Sequence, residues 1–305
     1  MKLLFIFLDG VGLGLDEPDI NPFARAEMPH LQALLDGKRL LEQTAPYHGE
    51  RASLLALDAC LSVDGLPQSA TGQAAILTGL KVPTLLGYHY GPKPNPAVAA
   101  YLKNGNLFNQ LQQLGRRAVF LNAYPPRYFD GIRSGRRLYS AIPLAVISAG
   151  LPLKTEADLR AGQALAADFT AQGWREVLRL TDTPLLTPVE AGERMVELAV
   201  QYDLAFFEYW LSDYAGHRQD MAGALSLLAT LDEVLNGVVK RWDDEQGLVL
   251  ITSDHGNLED LGTRRHTRNP VPAVLIGSPQ LRREFCAGLK DLADLTPAIF
   301  QLMLR

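Results

Sequence analysis

Continuous apolar runs punctuate the chain at 3–8 ("LLFIFL"), 118–122 ("AVFLN"), 204–210 ("LAFFEYW"), 248–252 ("LVLIT") and 272–277 ("PAVLIG"). Short runs of this kind, rich in β-branched and aromatic side chains, predict strands buried on both faces. Between them the period lengthens. "TPVEAGERMVELAVQY" opens on Thr187 and Pro188, a cap followed by proline at the first helical position, and sets Ala191, Met195, Leu198 and Ala199 on one side. "DMAGALSLLATLDEVLNGVVKRW" repeats the amphipathic spacing, and "DLTPAIFQLML" reads as a closing helix. Helices alternating with buried strands suggest parallel crossovers, hence an α/β three-layer sandwich around a mostly parallel sheet.

From 124 to 186 the pattern loosens. "AYPPRYFDGIRSGRR" holds two prolines, two glycines and four arginines, and the stretch after it reads as loop with one short helix. With too few regular elements for a core of its own, 124–186 is expected to be a small lid or insertion within a single domain spanning 1–305.

Composition narrows the function classes. An apolar share of 47% and a charged share of 21% are those of a globular chain with a sizeable core. A formal charge of −5, without basic tracts, gives no general attraction to nucleic acid or an anionic membrane, so affinity for a phosphate must be local. The run "KLLFIFL" leads into an aspartate and glycines instead of a small-residue cleavage site, and no uninterrupted apolar segment approaches a membrane span. Cys60 and Cys286 are far apart and lack metal-ligand spacing, as expected of reduced structural thiols. These features point to the cytoplasm.

Chemistry collects where strands end, which is where ligands bind in open parallel sheets. The first strand runs into Asp9; the strand at 204–210 runs into "LSDYAGH", with Asp213 and His217 four residues apart; the strand at 248–252 runs into Asp254 and His255. His266 precedes the last strand. Three of the chain's six histidines fall in these places, which sheet architecture alone does not explain. Imidazole and carboxylate together suit divalent ions such as Zn2+ or Mn2+. "PQSATGQAAILTGLK" (67–81) reads as a turn into a helix, whose free N–H groups make an anion site. There Ser69 is either a plain N-cap or a nucleophile whose hydroxyl is activated beside a cation.

Taken together, Asp9, "SATGQAAILTG", "DYAGH", "TSDHGN" and "HTRNPVP" resemble the alkaline phosphatase superfamily of two-metal phosphoryl-transfer enzymes. Within it the chain looks most like the cofactor-independent phosphoglycerate mutases and phosphopentomutases. The resemblance implies an alkaline phosphatase-like fold, with Asp213, His217 and His266 on one ion and Asp9, Asp254 and His255 on a second, beside the nucleophile's oxygen. Family spacing, counted back nine from Thr78, makes Ser69 the nucleophile and metal-contacting oxygen, ahead of Thr71. It also implies in-line displacement on a small phosphorylated substrate through a phosphoserine.

Only 144 positions separate Ser69 from Asp213, little room for the large inserted domain of the mutases, so a phosphomonoesterase is expected, with a mutase as alternative. Gln73 also departs from the mutases, which commonly carry histidine there. Arg127, Arg133, Arg136, Arg137, Lys81 and His89 are candidate contacts to a phosphate or carboxylate. A non-catalytic metal-binding relative is the reading of another class. A dinucleotide loop at "LDGVGLG" is disfavoured by its glycine spacing and by the lack of a helix start after it.

Overall fold

The computed structural model describes residues 1–304. The strands are β1 (Lys2–Leu8), β2 (Tyr47–His48), β3 (Ala52–Leu57), β4 (Ala118–Phe120), β5 (Ala123–Tyr124), β6 (Lys154–Thr155), β7 (Leu204–Tyr209), β8 (Gly247–Thr252) and β9 (Val271–Ile276). Seven form a central sheet in the order β2-β3-β9-β8-β1-β7-β4, while β5 and β6 pair separately.

Every predicted strand is present, and its burial explains why the apolar runs are continuous. Along β1, Leu4, Ile6 and Leu8 join one hydrophobic cluster, whereas Leu3, Phe5 and Phe7 join another. The period of two thus feeds two cores, one on each face, making the mixed α/β three-layer sandwich. Helices Pro188–Ala199 and Met221–Arg241 pack on the first face. Helices Ser69–Thr78, Pro96–Asn104, Ala141–Ser148 and Leu295–Met303 pack on the second. Thr187 caps its helix with a reciprocal Glu190 capping box, as the Thr-Pro signal implies. At 21 residues, Met221–Arg241 is long and apolar enough to cross a membrane, but here Leu228, Leu231, Leu235 and Val238 bury one face of it in the core.

The sheet departs from uniform parallel crossovers at one edge. β4, β7, β1 and β8 are mutually parallel, but β9 runs antiparallel to β8, and β3 antiparallel to β9. The sheet is still mostly parallel, since five strands share a direction. The reversal has a simple cause: residues 253–270 between β8 and β9 contain no helix, and an antiparallel return needs no crossover element. β3, absent from the sequence reading, sits in "ASLLALDAC", where short alanines and a partly exposed edge dilute the apolar signal.

The segment 124–186 is built of short pieces. Ala141–Ser148 packs into the second core, and Ala123, Leu159, Ala164, Ala166, Ala171 and Trp174 form a small separate cluster. The segment lies over the ends of β1 and β7, and several of its side chains line the cavity described below.

Candidate metal centre

The site is assembled from the loops that leave β1, β7 and β8. Asp9 follows β1, and its N–H bonds to Tyr209 O at the end of β7. The chain then turns at Gly10, whose φ of +69° suits glycine. A side chain there would also collide with Asp213, because a Cβ would stand 2.6 Å from Asp213 Oδ1. Asp213 and His217 lie one turn apart on helix Leu211–Arg218, so both face one side. Asp254 and His255, directly after β8, are fully buried.

Ser69 is the first residue of a helix whose ten residues are all buried; Gln68 stands at the cap position. The Ser69 hydroxyl therefore does not cap the helix. Its Oγ lies 3.0 Å from His255 Nε2. Thr71 is engaged elsewhere, donating towards Gln68 O and accepting from Tyr90 N. The close helix packing depends on Gly72, where a Cβ would lie 2.8 Å from Asp254 O.

Donor atoms from distant parts of the chain converge here. Asp213, His217 and His266 each offer one atom within 4.8 Å of the others, and so do Asp9, Asp213 and His255. Asp213 takes part in both groups. Asp254 stands slightly back, with Oδ2 3.7 Å from His255 Nε2 and 2.9 Å from Gln73 Nε2. The candidate nucleophile Ser69 and the candidate ligands Asp9, Asp213, His217, Asp254, His255 and His266 thus lie close together.

Backbone hydrogen bonds settle which imidazole nitrogens face inward. His217 Nδ1 lies 2.8 Å from Arg264 O, and His266 Nδ1 lies 2.7 Å from Pro67 O. A carbonyl accepts only, so each Nδ1 must carry the proton and each Nε2 presents a lone pair. Those two Nε2 atoms are 3.3 Å apart. Two lone pairs at that distance repel unless a cation or proton lies between them. His266 resists the proton, its pKa being pushed down to about 4 by burial and by neighbouring His255. A divalent cation held between them would satisfy the pair as a shared proton would, and imidazoles fixed in this way by carbonyls are the usual support of metal ligands.

The acids point the same way. Burial pushes Asp254 up to about 8, with Asp9 adding to the effect, and burial also raises Asp9. Glu208, on β7, is pushed up to about 8 by burial and then by Asp9 and Asp254. Burial opposes charge on His255, but Asp254 and Asp9 outweigh it and carry the imidazole up to about 10. Asp9 Oδ1 is buried, lies 3.3 Å from His255 Nε2 and makes no hydrogen bond. Crowded, buried acids of this kind lack positive charge, and bound cations reverse that balance.

Three supporting residues went unnoticed in the sequence. Glu208 is the one charged residue in the otherwise apolar "LAFFEYW", an anomaly that could have been flagged. Asn257 donates to Asp213 Oδ1 at 2.7 Å. Glu259 accepts from Gly12 N, Asn257 N, Asn269 Nδ2 and the Thr267 hydroxyl, closing the β8–β9 loop on itself and tying it to the loop after β1. Gln73, noted only as a departure, donates to Asp254 and lies 3.4 Å from Asp9 Oδ2.

Two cavities meet at Ser69, Pro92 and Asp213. One, of about 470 Å³, is bordered by His217, His266, Arg264 and Arg265. The other, of about 670 Å³, extends beneath the 124–186 segment and includes Arg127 and Arg137. The remaining basic candidates are occupied elsewhere: Lys81 pairs with Asp291, Arg133 with Asp130, Arg136 with Ser134, and His89 Nε2 approaches Val63 O.

Residues 183–304 match the Metalloenzyme superfamily. A 2,3-bisphosphoglycerate-independent phosphoglycerate mutase of Agrobacterium fabrum is 33% identical over 130 residues, covering 39% of this chain and 25% of that protein. A Cereibacter sphaeroides protein of the same name is 32% identical over 128 residues, with the same coverage. The chain thus matches a quarter of the length of these curated relatives. Among solved structures, a Pyrococcus horikoshii protein superposes with a TM-score of 0.59 at 16% identity, covering 99% of this chain and 96% of that one. The phosphoglycerate mutase of Leishmania mexicana gives 0.51 at 12%, covering 99% and 95%. Motifs and matched residues agree: residues 183–304 form a Metalloenzyme superfamily domain of the alkaline phosphatase-like kind, and the chain as a whole shares its fold with the Pyrococcus and Leishmania proteins.

Proposed function

We propose that the protein is a phosphomonoesterase that works with two divalent ions, Zn2+ or Mn2+, and forms a phosphoserine at Ser69. The carrying observation is the convergence of three imidazole Nε2 atoms, the Asp9 and Asp213 carboxylates and the Ser69 hydroxyl at the junction of two cavities. Asp213, His217 and His266 would hold one ion, and Asp9, Asp254 and His255 the other. Bound there, such ions supply charge neutralisation for the phosphoryl oxygens and lower the pKa of an adjoining hydroxyl.

The chain's own part follows from its geometry. Ser69 Oγ, at the N-terminus of a buried helix, is presented to the phosphorus with His255 Nε2 at its flank. The helix N–H groups favour the anionic phosphoryl group. Gln73 and Asn257 hold Asp254 and Asp213 in place. The 124–186 segment acts as a small lid, limiting water around the leaving group.

Metal analysis of the purified protein, together with p-nitrophenyl phosphate turnover by wild type and Ser69→Ala, tests this reading. Two equivalents of metal are expected, with turnover lost in Ser69→Ala while metal binding stays; a Ser69→Ala protein that still releases phosphate refutes it. The relatives' name favours a second reading, intramolecular phosphoryl transfer. Conversion of 3-phosphoglycerate to its 2-isomer without free phosphate would support that reading over hydrolysis.

A further inference from the structure

The larger cavity has a character that a phosphate site does not require. At its inner end stand Asp9, Ser69 and Asp213, so the phosphoryl group enters there and the leaving group extends away beneath the 124–186 segment. Its walls are aromatic and aliphatic: Tyr124, Tyr128, Trp174, Val177, Leu178 and Trp210. The Tyr124 and Tyr128 rings lie 4.2 Å apart at 31°, a ready-made aromatic corner. Trp174 is buried in the small cluster behind the cavity, so its position is set, whereas Val177 is 72% exposed and Trp210 45% exposed. An apolar-walled concavity beside a few convergent polar groups is the kind of surface an apolar ligand covers.

Volume and charge narrow the occupant further. About 670 Å³ lies within the range of roughly 300–1,000 Å³ that suits a ligand of drug size, and is ample for more than a three-carbon acid. Glu208, whose carboxyl is pushed up to about 8 by burial, lines the inner part. Cations stand instead in the wall made by the 124–186 segment. Arg127 and Arg137 border the cavity, and the Arg137 guanidinium lies 5.2 Å over the Tyr128 ring. Neither arginine has a carboxylate partner among the described residues, and the buried Tyr128 hydroxyl has no hydrogen-bond partner.

We propose that the substrate is the phosphate monoester of a large aromatic alcohol, whose ring lies against Tyr124, Tyr128 and Trp174 and whose distal polar groups face Arg127 and Arg137. This rests on the phosphomonoesterase reading for the placement of the phosphoryl group, but the pocket can be tested by binding alone. The probes are 1-naphthylmethylphosphonate and methylphosphonate, neither of which has an ester to hydrolyse, titrated calorimetrically in buffer containing Zn2+ or Mn2+. The aromatic phosphonate is expected to bind at least tenfold more tightly. Trp174→Ala should bring that ratio close to one. Because Trp174 also supports a small core, Val177→Asp, at an exposed position, serves as a second variant and should lower the ratio severalfold. Equal affinities in wild type, a ratio unaltered in both variants, or no binding of either probe overturns the assignment. Hydrolysis is read separately with naphthylmethyl and ethyl phosphates, whose leaving alkoxides are of comparable basicity. A preserved binding ratio without phosphate release refutes the hydrolase reading and leaves the aromatic pocket standing. Phosphate release from both esters at equal kcat/KM, with equal phosphonate affinities, does the reverse.

Discussion

Replacing Gly10 with alanine separates backbone strain from damage to the candidate metal centre. Gly10 has φ +69°, where an L-residue is disfavoured by about 1–2 kcal/mol. The new Cβ would lie 2.6 Å from Asp213 Oδ1 and 2.8 Å from its Cβ, against a comfortable separation of about 3.5 Å. Asp213 must therefore retreat by nearly an ångström, which disturbs its 2.7 Å bond from Asn257 and its place in both donor groups. Crowding of this kind costs about 1–3 kcal/mol, for a total of about 2–5 kcal/mol. A shift of that size in a positioned group can lower turnover about 100-fold. Gly37→Ala is the control: φ is +79° and nothing lies within 4 Å of the added Cβ, so only the strain of about 1–2 kcal/mol applies. Urea unfolding, metal titration and p-nitrophenyl phosphate turnover on both variants give the comparison. If Gly10→Ala loses no more stability than Gly37→Ala and keeps wild-type metal affinity and turnover, the placement of Asp213 at the centre is wrong.

Other perturbations follow from the same geometry. Chelation should lower the melting temperature: each ion at 100 times its Kd stabilises by about 2.7 kcal/mol, roughly 4 °C for a chain this long, and scanning calorimetry with and without a chelator measures it. Gln73→Met removes the donor 2.9 Å from Asp254 Oδ2 and should weaken metal binding about 10- to 100-fold, read by competition with a metallochromic dye. Glu259→Ala leaves donors from Gly12, Asn257, Thr267 and Asn269 without their acceptor, and chemical denaturation should show a loss of more than about 3 kcal/mol. Burial raises the Cys286 thiol to about 11, only partly countered by Arg282, so at pH 8 its alkylation should be about 100-fold slower than that of a free thiol. The same shift means that the folded state holds this proton longer than the unfolded chain. Its contribution to stability is therefore complete below about pH 9 and is lost as pH rises towards 11.

Much of this molecule was legible locally. Strands buried on both faces must be apolar at every position, so "LLFIFL" and "LVLIT" announce themselves, and Thr187 with Pro188 marks a helix start through backbone chemistry within four residues. Asp9, Asp213, His217, Asp254, His255 and His266 could be picked out because polar groups at the ends of such strands are conspicuous. Other features depend on partners far along the chain. The direction of β9 was decided by a helix-free loop, and β3 by the edge that loop left open. Ser69 and Thr71 are equally polar neighbours in sequence; packing of their helix against the β8 loop turns one hydroxyl to His255 and the other to Tyr90. Gln73, Asn257 and Glu208 carry no local mark of what they touch, since a hydrogen bond or a crowded charge is a property of two places in space. Sequence alone determined which side chains had the chemistry for a metal centre, because composition and period are one-dimensional. Tertiary structure alone decided which of them meet, and what kind of cavity opens beside them.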